Sequence, residues 1–106
     1  MDKELSNQEK IRFNTLYDKA NELMRDKISS KGQVKQLSAM EQIELAEAVA
    51  FFKECIKIYP ASWQSMWAIG LASQMLGETE DALEWFNRAY QINPAIKTMF
   101  DKSDTK

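Results

Sequence analysis

A chain of 106 residues, 44% hydrophobic and 28% charged, has the material of one soluble domain with a modest core. Its formal net charge of −2 gives no electrostatic ground for expecting nucleic acid as a partner. There is no histidine, the commonest general base and metal ligand, and Cys55 is the one cysteine, which excludes an internal disulfide and a cysteine zinc cluster.

Two further absences shape the expectations. Residues Met1 to Glu4 carry no apolar stretch of the kind that opens a signal peptide. The longest mostly apolar run, Trp63 to Leu76, is too short to cross a bilayer and is interrupted by Gln64, Ser65, Ser73 and Gln74. The expected location is the cytoplasm, with no membrane partner. A domain cut from a longer exported protein would read the same way. With only three glycines and two prolines, few turns and long elements are expected. The abundance of alanine, leucine, glutamate, lysine, glutamine and methionine points to an all-α fold.

The first helix is expected to begin after Ser6, which stands in capping-box spacing with Glu9. Phe13, Leu16, Tyr17, Ala20, Leu23 and Met24 then recur at steps of three and four, the stripe of an amphipathic helix ending near Lys27. Residues 28–37 break the pattern and read as an enlarged, lysine-bearing loop. Ser38 and Glu41 form a second capping box before a long helix with Leu45, Ala48, Val49, Phe52, Cys55, Ile56 and Tyr59 on one face. Pro60 ends that helix or begins the next element. A third helix spans about 62–76, with Gly77 as its stop. Thr79 is expected to cap a fourth helix, with Glu80 and Asp81 suiting its N-terminus. That helix ends at Asn93-Pro94, and a tail helix over about 95–102 is expected to lay Ile96, Met99 and Phe100 on the last hairpin.

An internal repeat organises these elements. Ala48 and Ala82 are 34 residues apart, and the same offset relates Phe52 to Phe86, Cys55 to Ala89, Ile58 to Ile92 and Pro60 to Pro94. Small residues at this spacing let two antiparallel helices approach closely, with the phenylalanines filling the space beside them. The pattern resembles the tetratricopeptide (TPR) repeat, a helix–turn–helix unit of the same period. The second-helix signature is present as Ala82, Phe86, Ala89 and Pro94. The first-helix signature appears as Met66, Ile69, Gly70 and Ser73, with glycine kept and both aromatic places lost. In the preceding copy Leu16, Ala20 and Leu23 stand in the corresponding first-helix places, and about 16 extra residues separate the two helices.

The resemblance implies a TPR-type α-solenoid of about two repeats, hairpins at about 7–60 and 62–93, capped by the tail helix. It implies a binding scaffold whose concave face, made by the first helix of each hairpin, takes a helical or extended segment of a partner protein. The positions it points to are Asn14, Tyr17, Asn21, Met24, Gln64, Trp67, Leu71 and Gln74. Trp67, Ala68 and Leu71 stand where the best-known members of the family carry polar clamps for a C-terminal carboxylate, so an apolar or mixed ligand is expected. Trp67 is alternatively covered by the rest of the chain, Trp85 packs on the tail helix or shows on the convex face, and Trp63 packs against the preceding helix end.

No enzymatic activity and no cofactor are expected. Cys55 holds a small core place, the glycines stand alone rather than in a phosphate loop, and the acidic clusters at Glu41, Glu44 and Glu47 and at Glu78, Glu80, Asp81 and Glu84 read as solvated faces. Two rival functions stay open: a dedicated chaperone or assembly subunit similar to the small TPR-like chaperones of bacterial secretion systems, and a structural homo-oligomer. Homodimerisation is open because two hairpins fall below the usual number of about three repeats for a stable solenoid.

Overall fold

The computed structural model describes residues 5–25 and 37–96. Among them are four helices and no strand: α1 (Asn7–Arg25), α2 (Ala39–Ile58), α3 (Trp63–Met75) and α4 (Thr79–Ile92). The expected loop at 28–37 lies, apart from Leu37, outside the described residues. So do residues 97–102 of the expected tail helix.

Both capping boxes form as the spacing requires. Ser6 Oγ accepts from the Glu9 amide at 3.1 Å, while the Glu9 carboxylate accepts from the Ser6 amide at 2.9 Å. Ser38 and Glu41 repeat the exchange at the same distances. Gly77 closes α3 with φ +84°, a conformation open to glycine at little cost. The closure is a Schellman motif: the Gly77 amide donates to Gln74 at 3.1 Å and the Glu78 amide to Ser73 at 2.8 Å.

One cap differs from expectation, and one helix starts without a side-chain cap. Thr79 is the first residue of α4, and Glu78 is the capping residue, with no side-chain hydrogen bond to the helix. The Schellman turn spends Gly77 and Glu78 on closing α3, so α4 starts at once. Ser62 is the N-cap residue of α3 but makes no side-chain bond to the free amides of the helix, and its hydroxyl pairs with the buried Ser65 hydroxyl at 2.8 Å.

The helices pack in chain order, α1 on α2, α2 on α3 and α3 on α4. Contacts between early α1 and late α2 make the first pair antiparallel: Phe13 meets Tyr59 edge-on at 6.3 Å, and Tyr17 meets Phe52 at 5.6 Å. In the second pair Trp67 contacts Phe86 at 4.5 Å and Tyr90 at 5.9 Å. The small residues of the repeat, Ala48, Cys55, Ala82 and Ala89, are all buried, as the close approach of paired helices demands. One buried cluster, Ala20, Met24, Leu45, Ala48, Phe52, Ile69 and Ala72, draws on α1, α2 and α3 and ties the two hairpins together. A second joins Met66, Ala89 and Ile96. Ile96, the last described residue, is thus part of the core.

Candidate functional site

The periodicity that builds α1 and α3 also sets a row of side chains along each. On α1, Tyr17, Asn21, Met24 and Arg25 follow one another at helical spacing; on α3, Trp63, Gln64, Trp67, Ala68 and Leu71 do the same. The structure brings these two rows together around a groove of about 490 Å³. Met24 is buried and belongs to its floor. Tyr17, Asn21, Trp63, Trp67, Ala68 and Leu71 are half-buried, while Gln64 and Arg25 are exposed.

The aromatic walls are held from behind. Tyr17 stacks on Phe13 with ring centroids 5.7 Å apart and nearly parallel planes, and the edge contact with Phe52 anchors it to α2. Trp67 leans on Phe86 and Tyr90 of α4. Aromatic contacts of this kind favour defined ring orientations, so the groove presents a shaped surface before anything enters it.

Of the residues singled out from sequence, Tyr17, Asn21, Met24, Gln64, Trp67 and Leu71 line this groove. Asn14 and Gln74 are exposed and do not. The lining runs along the second half of α1 and the first two-thirds of α3, so Asn14 falls a turn short of it and Gln74 a turn beyond. Two lining residues, Arg25 and Trp63, were not expected in the groove, and Ala68 was named from sequence only as standing at a clamp place. Each carries a periodic signal, since Arg25 lies four residues after Asn21, Ala68 three before Leu71, and Trp63 four before Trp67. Trp63, expected against the preceding helix end, is half-buried, packs on the cluster of Met66, Ala89 and Ile96, and also lines the groove.

Other chemistry-bearing groups sit elsewhere. Trp85 is half-buried away from the groove, with the Arg88 guanidinium 4.6 Å and the Lys53 ammonium 6.0 Å from its ring centroid. Cys55 is buried; loss of solvation raises its thiol pKa to about 11, partly offset by a hydrogen bond with Ser65 and reinforced by the nearby Glu54 charge. Its Sγ lies 3.7 Å from the Phe13 carbonyl oxygen as a weak donor. A thiol in that setting stays protonated at neutral pH and is a poor nucleophile. Among the described residues no group of three or more histidine, cysteine, aspartate or glutamate side chains is placed to hold a metal ion. No described helix is long and apolar enough to cross a membrane.

Comparison with known proteins identifies the second hairpin. Residues 64–96 match the family model of the tetratricopeptide repeat. No curated protein and no solved structure matches the chain. The match takes in nearly all of α3, the Schellman turn, all of α4, Pro94 and the buried Ile96. A tetratricopeptide repeat is a protein–protein interaction module. Residues 64–96 thus carry a tetratricopeptide repeat, set within a chain whose described residues are arranged as paired helices.

Proposed function

We propose that the chain is an adaptor that grips a segment of a partner protein in the groove between α1 and α3, through Tyr17, Asn21, Met24, Gln64, Trp67 and Leu71. The observation that carries this reading is the composition of the groove: two indole rings and a phenol line a surface that the described residues leave open, and Tyr17 and Trp67 are braced by rings of α2 and α4. Tryptophan and tyrosine in such places are frequent anchors, because they bring large contact area with little loss of side-chain freedom. The groove offers binding groups and no reacting constellation, so the same reading makes the protein a scaffold rather than an enzyme, acting without a cofactor, nucleic acid or membrane.

Affinity purification with the tagged protein, followed by mass spectrometry, supplies the partner. The test is then quantitative. Trp67→Ala and Gln64→Ala are each compared with wild type for binding that partner, with far-UV circular dichroism confirming that helicity is kept. Truncating a central anchor costs at least about 2 kcal/mol, so Trp67→Ala weakens binding roughly thirtyfold. Gln64 is exposed and outside the core, so its truncation reports on the groove without disturbing the fold. A partner held equally well by both variants binds somewhere else on the molecule, and the groove reading is then lost.

A further inference from the structure

The charge of the groove is one-sided. Arg25 is its one charged lining residue; the others are aromatic, aliphatic or amide side chains. Arg25 is exposed, and among the described residues it enters no ion pair, whereas Arg12, Lys57 and Arg88 each have a glutamate partner. A guanidinium presents a fork of donors that a carboxylate matches with two parallel hydrogen bonds. Its place in the last turn of α1 also suits the helix dipole, but that needs only a positive charge near the helix end and not one facing this groove.

Two amides complete the polar set. Asn21 lies one turn before Arg25, and Gln64 comes from α3 on the other wall. An amide side chain both donates and accepts. A helical ligand has already used its backbone N–H and C=O groups internally, whereas an extended one keeps them available. The amides therefore fit an extended backbone, and the rings of Tyr17, Trp63 and Trp67 fit an apolar side chain that it carries.

We propose, resting on the reading of the groove as a binding site, that its ligand is an extended interior segment of a partner protein. In that segment an aliphatic or aromatic side chain lies against Tyr17, Trp63 and Trp67, and an aspartate or glutamate side chain pairs with Arg25. The amides take backbone groups on either side of the anchor, which an interior segment supplies in both directions.

The probe is a phage-displayed library of random linear peptides selected on the full chain. Selected peptides are then synthesised with amidated C-termini and titrated by tryptophan fluorescence against wild type, Arg25→Gln, Gln64→Ala and Trp67→Ala. The selected sequences should share an acidic residue close to an aromatic or aliphatic one. Arg25→Gln should weaken binding about tenfold, as loss of a charge-assisted pair does, and raised salt should weaken the wild type in the same direction. Changing the peptide's acid to its amide should cause a similar loss in wild type and little more in Arg25→Gln. Peptides that bind in a manner sensitive to Gln64→Ala, yet lack the acid or ignore Arg25→Gln, overturn this inference and leave the groove reading standing. Binding that vanishes on amidation of the C-terminus assigns Arg25 to a terminal carboxylate and overturns it too. If every selected peptide is indifferent to both Gln64→Ala and Trp67→Ala, the groove reading fails and this proposal falls with it.

Discussion

At Gly70 a single methyl group sets two effects against each other. Alanine is the better helix former by about 1 kcal/mol in a helix interior. A Cβ at Gly70 would stand 2.5 Å from Cε1 and 2.6 Å from Cδ1 of Phe86, well inside contact distance. The Trp67 ring, with centroids 4.5 Å apart, limits how far the half-buried Phe86 can yield. Overpacking of this kind costs about 1–3 kcal/mol. The clash is expected to win, so Gly70→Ala lowers the midpoint of thermal unfolding by several degrees, and adding Phe86→Leu restores part of the loss. A Gly70→Ala variant as stable as wild type would mean that Phe86 shifts freely and that α3 and α4 are loosely packed at this contact. The glycine was legible in the sequence as a kept member of the repeat signature. Its reason was not, since that lies in a ring sixteen residues away on another helix.

At the scale of the helices, the starts of α1 and α2 were legible because a capping box is local chemistry, complete within four residues. Ser38→Ala removes the acceptor for the Glu41 amide and should destabilise the protein by about 1 kcal/mol, read as a lower urea midpoint at unchanged slope. Ser38→Asp, which keeps an acceptor at the cap, should recover most of that stability; failure to recover would place the effect elsewhere. The start of α4 at Thr79 was legible too, but its cap falls one residue earlier, on Glu78, for a reason of the same local kind. Threonine followed by two acids is a sound local signal, but the turn that closes α3 has already used Gly77 and Glu78, and the two motifs compete for one short stretch. At the start of α3 the Ser62 hydroxyl is taken by Ser65, a buried pairing that no local pattern announces. The groove was partly legible because its two rows obey helical spacing. What spacing cannot supply is the stagger between α1 and α3, and that stagger excludes Asn14 and Gln74 while admitting Arg25 and Trp63.

On the scale of the whole molecule, the question is whether two hairpins fold as one. α1 and α2 are 19 and 20 residues long, α3 and α4 are 13 and 14, so most of the described helix lies in the first hairpin. All three tryptophans, Trp63, Trp67 and Trp85, lie in the second. Far-UV circular dichroism is therefore weighted towards the first hairpin, whereas tryptophan fluorescence reports the second. The cluster that includes Phe52, Leu45 and Ala20 from the first hairpin and Ile69 and Ala72 from the second is continuous across the junction. Nearest-neighbour contacts of that sort couple stacked repeats. The two signals should coincide in urea, as two-state unfolding requires. Phe52 is fully buried, so Phe52→Ala should cost about 3–5 kcal/mol, a large share of the roughly 5–10 kcal/mol that a domain of this size commands. The decisive feature is where that loss appears. In a coupled stack the fluorescence midpoint falls as far as the dichroism midpoint, although Phe52 is on α2 and every tryptophan is on α3 or α4. A variant in which dichroism falls early while fluorescence holds its wild-type midpoint would show two independently stable hairpins, and a groove whose walls are not held in one rigid frame.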